Sequence, residues 1–597
     1  MRVPRSHRFL RGFAVAAIVV ASLMLSAPVG AMGATTEATP LQNATDPPAA
    51  PDEPTGSSSS TPEPAESGEV TPTPTGSDTP DPTPTEPATP TPSLTPTVTA
   101  SPSPSTSPTA SPTPTSTVTP IPAVPPAITT STTSLPTLVI AAGVLIAAAL
   151  LIWSLMRRRP AFTTPRPTAV TTEAVPTPVV LDSMAALGTA MIDSGYPVGF
   201  VRDALDDMAT ANGASTVQAI VFPTSILVSS ADSSGVQTRA VSAGDHTYLL
   251  HQVDAVARIV GVARGRPGAA AWVRRQIDDV AGLPSPFSRA QRIGAYGLLS
   301  AALSVLLDAS GPGVLLAGIL GLAVGMVLLF TARLGPSAQA LVVVAVSLGV
   351  SLIVLLVARV LDPGVLFALV APLVILLPGG LLTIGVIELA TGQIMSGAAR
   401  VAAGAMRLLL LATGIVGASA LVGIPAFEPA EHNPLGPIAP WIAVALFGLG
   451  ITVYECARPR AIGWIVIVLY VAYGAQVLGD VLFDGVLSAL VGAAAMTPVA
   501  VVIARQRNGP PALVSFLPAF WLLVPGALGL IGVASVIYGD PGGASTIITT
   551  IATMMAIALG VLLGLATTGS LHGFAQSDFD ENDASDDSET SLPFEKL

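Results

Sequence analysis

Apolar and polar positions follow three different patterns along the chain. Long runs of apolar residues fill most of residues 291–568, and one further run covers residues 137–156. Residues 180–290 instead mix charged and apolar positions with helical or strand periodicity, which is typical of a folded domain outside the membrane. Residues 34–136 are dominated by proline, threonine and serine. These patterns predict a polytopic α-helical membrane protein with a small α/β domain and a disordered Pro/Thr/Ser-rich stalk.

The region 291–568 divides into ten apolar segments, most of them close to the ~20 residues that cross a bilayer. The segments lie near 293–309, 313–332, 338–358, 363–389, 401–424, 440–456, 461–479, 485–504, 511–538 and 544–568. The first five form one half, residues 291–424, and the last five form the other, residues 440–568. Residues 376–386 and 523–533, in the fourth and ninth segments, are similar, and halves of five spans each have opposite orientations. The halves are therefore predicted to be inverted repeats, an architecture found in many secondary transporters.

The fourth and ninth segments share a helix-breaking sequence. "LLPGGLLTIGV" at 376–386 is echoed by "LVPGALGLIGV" at 523–533. Proline removes a backbone donor and glycine loosens a helix, so both segments are predicted to be interrupted. An interruption frees backbone groups that need protein or a watery cavity around them, which favours a transport pathway. The alternative is a pair of packing kinks.

A carboxylate follows the first of these breaks. Glu388 lies near the end of the fourth segment, and a charged group inside a membrane is costly unless it is paired or functional. One interpretation is an ion pair between Glu388 and either Arg400 or Arg407. The other is that Glu388 binds a substrate ammonium group or a proton beside Thr383.

The α/β domain is predicted over residues 180–290. "LDSMAALGTAMIDSG" and "PVGFVRDALDDMATANG" predict two amphipathic helices, "TVQAIVF", "ILVSS" and "GVQTRAV" predict strands, and two further helices follow. No nucleophile–base motif, phosphate-binding glycine loop or cysteine cluster occurs there. His246 and His251 are five residues apart rather than the four of a helical metal pair. We therefore expect no enzyme, no cofactor and no metal site.

Composition and charge place these segments relative to the membrane. Only 11% of the residues are charged and the mean hydropathy is +0.67, whereas soluble proteins carry about 25% charged residues. Arginines fill positions 157–159 and recur at every second junction between the apolar segments, Arg359 excepted. Because positive charge marks the cytoplasmic side, residues 157–290 and the acidic tail 569–597 are predicted to be cytoplasmic. The single cysteine, Cys456, excludes an intrachain disulfide.

The N-terminal segments are predicted to lie outside the cytoplasm. Residues 1–33 combine arginines, an apolar core and small residues, which is typical of a signal peptide or an uncleaved signal anchor. Residues 34–136 would then be extracellular, and residues 137–156 would form a transmembrane helix that enters from outside. The chain is thus expected to be a multi-pass protein of a bacterial plasma membrane, in contact with the lipid bilayer.

The motif around the fourth segment resembles that of the threonine/serine exporter family. It consists of Pro378, Gly379, Thr383, Glu388, Gly392, Ser396, Gly397 and Arg400. The α/β domain is similar too, with Gly195, Gly213, Pro223, Thr224 and Ser225 in place. One departure occurs in the second helix, where family members carry an Arg-Val-acidic triplet and this chain has Phe200-Val201-Arg202. The resemblance covers residues 181–568 and implies a cytoplasmic α/β domain before ten spans in two five-span halves.

The resemblance implies a secondary exporter of threonine and serine driven by the proton motive force. The chain has no ATP-binding motif, which is consistent with secondary transport. The predicted substrate or proton pathway consists of Pro378, Gly379, Thr383, Glu388, Ser396, Arg400, Pro525 and Gly526. Threonine, serine, protons and lipid are the expected partners; nucleic acid is not expected, and a homo-oligomer stays open. The alternative function is a membrane-anchored sensor or scaffold without transport.

Overall fold

The structure of the protein is a computed structural model, which describes residues 135–157, 175–232, 235–244, 247–361, 363–423, 435–483, 485–506, 509–523, 530, 536 and 543–568. All of these residues belong to one compact unit of the chain. The predicted signal (1–33), nearly all of the predicted stalk (34–136) and the acidic tail (569–597) lie outside the described residues.

The first part of the described chain contains one long apolar helix followed by an α/β region, residues 177–280. Its elements are α1 (Leu135–Arg157), α2 (Thr177–Asp193), α3 (Val198–Ala211), β1 (Val217–Val221), β2 (Ser225–Asp232), β3 (Gly235–Ser242), α4 (Leu250–Gly265) and α5 (Ala270–Val280). These helices and strands follow the order that the sequence periodicity predicts.

The three strands form an antiparallel sheet in the order β1-β2-β3. Val217 pairs with Ser230 across β1 and β2, and Ile226 pairs with Val241 across β2 and β3. Side chains alternate between buried and exposed along β1 because successive residues of a strand point to opposite faces. The buried face packs on α2 and α3. A Cβ atom at Gly188 would lie 2.6 Å from Ile226 Cδ1, so the sheet and α2 pack tightly.

The second part of the described chain is a helical region, residues 289–567. Its helices are α6 (Arg289–Leu306), α7 (Gly311–Thr331), α8 (Pro336–Val357), α9 (Gly379–Ala390), α10 (Ile394–Val422), α11 (Ala439–Tyr454), α12 (Ile462–Phe483), α13 (Val486–Ala504), α14 (Ala512–Leu522) and α15 (Gly543–Thr567). Short 3-10 segments lie at Pro363–Leu369, Ala371–Leu376 and Pro459–Ala461.

Six helices among the described residues are long and apolar enough to cross a membrane, so the chain is a multi-pass membrane protein. They are α7, α8, α10, α12, α13 and α15. Of the other predicted spans, α6 begins with Arg289 and Arg292, the fourth segment is interrupted, and α11 and α14 have 16 and 11 residues. The count of ten spans stays a prediction, because within the part of the chain that the structure describes the other four apolar segments do not form one long, uninterrupted apolar helix each.

Glycines bring the membrane helices into close contact. A Cβ atom at Gly321 of α7 would collide with Ser300 of α6. Likewise, a Cβ at Gly414 of α10 would lie 2.7 Å from Leu348 N of α8, and one at Gly560 of α15 would lie 2.5 Å from Leu490 O of α13. Small residues at such crossings allow backbones to approach, which is a principal way in which helices associate in lipid. Helix α6 also packs on α11, and α1 packs on α12.

Candidate functional site

The fourth apolar segment is broken at the predicted position. Two 3-10 segments occupy its first part, Leu377 is extended with a ψ angle of 128°, and α9 begins only at Gly379. Pro378 cannot donate a backbone hydrogen bond, so the preceding turn cannot continue into α9. The interruption at Pro378 and Gly379 is therefore present. The first N–H groups of α9 lie within the apolar segment without partners in their own helix.

A tight hairpin returns the chain from α9 to α10. Gly392 occupies the turn with a φ angle of +84°, a conformation that glycine adopts without steric cost. A Cβ atom at Gly397 would lie 2.6 Å from the carbonyl oxygen of Gly385 and 2.8 Å from the backbone nitrogen of Leu389. The two helices can therefore cross at this distance only because positions 385 and 397 lack side chains.

This crossing brings Glu388 of α9 and Arg400 of α10 together. Glu388 Oε2 lies 3.1 Å from Arg400 Nε, and the side chains are 1% and 9% exposed. The N–H bond of Arg400 Nε is not aligned with Glu388 Oε2, so the contact is an ion pair held by charge. Of the two arginines that the sequence offers as partners, Arg400 is the one that Glu388 contacts.

The α/β region supplies the remaining partners of this pair. The backbone N–H of Val198, at the start of α3, donates to Glu388 Oε1 over 2.9 Å. Arg400 Nη2 donates to the carbonyl oxygen of Tyr196 over 3.2 Å. Val198 N–H is one of the helix-start donors that lack an intrahelical acceptor, and a carboxylate is favoured at the positive end of the helix dipole. The pair thus joins the α/β region to the broken segment.

A second connection lies at the end of α11. The N–H of Leu250, at the start of α4, donates to the carbonyl oxygen of Glu455 over 2.8 Å. Asp254 of α4 is buried and lies 2.9 Å from Arg458 in an ion pair. Two helix starts of the α/β region, those of α3 and α4, are therefore capped by acceptors from the helical region.

A groove of about 670 Å³ separates α3 and β1 from the α9–α10 turn. Its volume is in the range of small-molecule sites. Its lining includes Val198, whose N–H donates to Glu388, and the polar residues Arg202, Asp206, Gln218, Gln393 and Ser396. Val198 is a member of the Glu388–Arg400 network, and Ser396 lies one helical turn before Arg400. The groove therefore opens beside the buried pair.

Arg202, the residue that departs from the family triplet, projects from α3 into this groove. Its Nε lies 3.9 Å from Asp206 Oδ2, and both side chains are exposed. Partial burial raises the pKa of the Asp206 carboxyl, whereas the charge of Arg202 lowers it. The two residues place one positive and one negative group on the same wall.

Thr383 lies five residues before Glu388 on α9, which is about 7.5 Å along the helix axis. Its side chain is fully buried, and its hydroxyl oxygen has no hydrogen-bond partner among the described residues. Helix α9 packs on α14 and α15 as well as on α10. A buried hydroxyl without a partner is unusual and is a candidate contact for a polar ligand.

The structure therefore brings Glu388 and Arg400 into contact. Ser396 lies one turn before Arg400 on α10, Gly379 and Thr383 lie on α9, and Pro378 directly precedes α9. The predicted residues Pro525 and Gly526 lie outside the described residues. Sequence reasoning missed Tyr196 and Val198, because both act through backbone atoms that leave no residue-type signature. The closest signal is Pro197, which fixes the start of α3.

Residues 182–422 of the chain match the family model described as "Putative threonine/serine exporter". The matched region begins within α2 and extends to the end of α10, so it contains nearly all of the α/β region, the broken segment and the Glu388–Arg400 pair. The match confirms the resemblance to this transporter family over those residues. Comparison with curated proteins and with solved structures gave no match.

Proposed function

We propose that the protein is a secondary exporter that moves threonine and serine across the plasma membrane in exchange for protons. The match of residues 182–422 to an exporter family supports transport of a small polar substrate. The sequence contains no ATP-binding motif, so a gradient is the simplest source of energy. The predicted pathway is the interior around α9, α10, α14 and α15.

The buried Glu388–Arg400 pair is the observation that carries this proposal. Ionisable residues inside membrane proteins are rare and commonly mark substrate or proton pathways. This pair lies near the end of an interrupted helix and beside a groove, from which a solute and a proton would reach it once the start of α3 moves away. Glu388 as a carboxylate pairs with Arg400; as a neutral acid it would release that pair and carry the proton.

The packing of the helical region supports two structurally related halves. The third and fifth segments of the first half, α8 and α10, pack on each other, and so do their counterparts α13 and α15. The second and fourth segments are also in contact in both halves: α7 contacts the first 3-10 segment, and α12 contacts α14. With five segments per half, the halves would have opposite orientations.

Proton-coupled export can be tested with the purified protein in liposomes. An imposed pH gradient is expected to drive accumulation of radiolabelled threonine against its own gradient, and a protonophore should abolish that accumulation. Protein-free liposomes control for leakage. If wild-type protein moves no threonine under any gradient, amino-acid export itself is excluded.

The role of Glu388 is tested by substitution in the same assay. E388Q removes the charge with little change in shape, and it is expected to abolish gradient-driven accumulation. E455Q is the matched control, because the contact of Glu455 with the α/β region goes through its backbone carbonyl, which this substitution keeps. Normal gradient-driven transport by E388Q would exclude Glu388 as the proton carrier and leave export by another route.

A further inference from the structure

Two hydrogen-bond donors and two acceptors meet at the junction of α3, α9 and α10. The donors are Val198 N–H and the Arg400 guanidinium; the acceptors are the Glu388 carboxylate and the Tyr196 carbonyl oxygen. Each donor contacts an acceptor, and the two charged groups contact each other at 3.1 Å. In this arrangement each of the four groups has a partner, but Glu388 Oε2 and Arg400 Nε are paired by charge alone and form no hydrogen bond.

The same four groups match the charged atoms that every free amino acid carries. A carboxylate is bound well by a guanidinium together with a backbone N–H at a helix start. An ammonium group donates three hydrogen bonds and is bound well by a carboxylate and a carbonyl oxygen. A zwitterion inserted between Glu388 and Arg400 would therefore find a partner for each of its charges.

We propose that these four groups form a binding site for the α-carboxylate and α-ammonium of a free amino acid. The ligand carboxylate would lie between Arg400 and Val198 N–H, and its ammonium between Glu388 and the Tyr196 carbonyl. This proposal rests on the proposed function and deepens it, since it names the atoms that recognise the substrate.

Charge balance favours this ligand class over others. The Glu388–Arg400 pair is neutral as a whole, and a zwitterion is neutral too, so insertion leaves no uncompensated charge in a buried site. A purely cationic or anionic analogue would leave one of the two protein charges unpaired, at the cost that buried unpaired charges carry. The site therefore requires both ligand charges.

The groove provides access to this site. It is lined by Val198 and by Ser396, which precedes Arg400 by one helical turn. Insertion of a ligand requires the start of α3 to move away from Glu388, and the groove lies where that movement would take place. The arrangement in the structure is then the ligand-free form of the site, in which Glu388 occupies the carboxylate position.

The same arrangement explains how a proton and a substrate would exclude each other. Protonation of Glu388 removes the partner of the ligand ammonium, so a proton and an amino acid would compete for one carboxylate. Competition of this kind is what exchange of a substrate for protons requires.

Ligand analogues and full-length protein in detergent test the proposal. Stabilisation against thermal unfolding is measured as a function of concentration for three probes: threonine, threoninol, which lacks the carboxylate, and 2,3-dihydroxybutanoate, which lacks the ammonium. Wild-type protein is expected to bind threonine at least tenfold more tightly than either analogue. A factor of ten corresponds to about 1.4 kcal/mol, slightly less than one hydrogen bond to a charged group contributes.

Two reciprocal variants locate the site. E388Q leaves the positive charge of Arg400 unpaired in the site, so the affinity of this variant for 2,3-dihydroxybutanoate relative to threonine should rise at least tenfold. R400Q leaves the negative charge of Glu388 unpaired, so the affinity of this variant for threoninol relative to threonine should rise at least tenfold. R407Q and E455Q are matched controls and should bind the three probes in the same order of affinity as wild-type protein. A purely structural ion pair would affect stability in both variants without reversing the order of ligands.

The outcomes separate this proposal from the proposed function. Equal binding of threonine and either analogue by wild-type protein would overturn the zwitterion site, and so would an unchanged order in both variants. No threonine binding by wild-type protein would overturn it as well. If liposomes containing wild-type protein still accumulate threonine in any of these cases, export stands and only the site is wrong.

Discussion

At the scale of single residues, the Glu388–Arg400 pair depends on glycines that have no chemistry of their own. Gly385 and Gly397 face each other where α9 crosses α10, and any side chain there would meet backbone atoms of the other helix. Backbone cannot rotate out of the way as a flexible side chain can. The separation of the two helices, and with it the distance between the paired charges, is therefore determined by these two positions.

We expect G397A to destabilise the protein and weaken the ion pair. The added Cβ atom would lie 2.6 Å from Gly385 O and 2.8 Å from Leu389 N, so α9 and α10 must separate. Overpacking of this kind costs about 1–3 kcal/mol. G380A is the matched control because no atom lies within 4 Å of its added Cβ. Thermal unfolding in detergent should show a lower midpoint for G397A only; equal midpoints would contradict the tight crossing.

His251 links stability to pH at the junction between α4 and the end of α11. Its side chain is buried, and Nδ1 lies 3.1 Å from the carbonyl oxygen of Cys456. Burial lowers the pKa of this imidazole below its ordinary value of 6.5, the charges of Arg458 and Arg292 lower it further, and hydrogen bonds to the carbonyl groups of Leu283 and Cys456 raise it. The neutral ring is the form that fits.

Acidification should therefore destabilise the wild-type protein through His251. The unfolded chain takes up a proton near pH 6.5 and the folded chain only at a lower pH. This contribution to stability is complete above pH 6.5 and is lost as the pH falls from there through the folded pKa. H251N keeps a donor to Cys456 without the titration. Its unfolding midpoint should fall less than that of wild type between pH 7 and pH 5; parallel pH profiles would contradict this assignment.

At the scale of elements, the α/β region could be predicted almost completely from the sequence. The alternation in "TVQAIVF" and "ILVSS" corresponds to β1 and β2, whose buried positions alternate with less buried ones, and "GVQTRAV" corresponds to β3, which is largely exposed. Asn212-Gly213 follows α3 directly, where the sequence predicts the helix end. Local signals suffice when an element has one buried and one exposed face.

The broken segment and the site could be predicted only in part. Pro378 and Gly379 indicate an interruption, and the break is present, but nothing in an apolar stretch distinguishes 3-10 turns from an α-helix over residues 363–376. The sequence indicates that the Glu388 carboxylate is costly within an apolar segment, but it offers two arginines, Arg400 and Arg407, as equally suitable ion-pair partners. The choice of Arg400 depends on a helix crossing, and the contact with Val198 joins residues 190 positions apart. Such contacts follow from packing, not from local sequence.

A disulfide can test how the linker between α5 and α6 lies against the end of α11. Ser285 Oγ is 3.1 Å from Cys456 Sγ, and Cys456 is the single cysteine of the chain. S285C therefore places two sulfur atoms within reach of a bond of about 2.05 Å after a small adjustment. Mild oxidation should crosslink positions 285 and 456 of the S285C protein. The crosslink is detected as a loss of free thiols, and the two fragments should stay linked after the chain is cleaved between these positions.

The control for this crosslink is the same substitution combined with C456S, which leaves one thiol and can form no intrachain bond. A second control, S288C, places the thiol three residues further along, at the N-cap of α6, and should crosslink less. If S285C retains both free thiols under conditions in which the protein stays folded, the linker does not lie against Cys456.

At the scale of the whole molecule, the α/β region is connected to the helical region at two separate places. One is the start of α3 on Glu388, which belongs to the first predicted half; the other is the start of α4 on Glu455, which belongs to the second. If the two halves move relative to each other, as in transporters built from inverted repeats, the α/β region can stay attached to only one half. Either one of the two contacts breaks, or the α/β region itself is distorted. The α/β region is therefore positioned to respond to that movement.

The orientation of the whole molecule in the membrane gives the final prediction. Arginines at 157–159 and at alternate junctions of the apolar segments predict that the α/β region lies in the cytoplasm and residues 34–136 outside. In a C456S background, a cysteine at the exposed position Thr238 of β3 should react with a membrane-impermeant maleimide only after the cells are permeabilised. A cysteine at Ser101 in the predicted stalk should react in intact cells. This orientation agrees with the proposed direction of transport, because an exporter loads its substrate in the cytoplasm and the groove would then open on that side. Labelling of T238C in intact cells would reverse the topology and, with it, the proposed direction of transport.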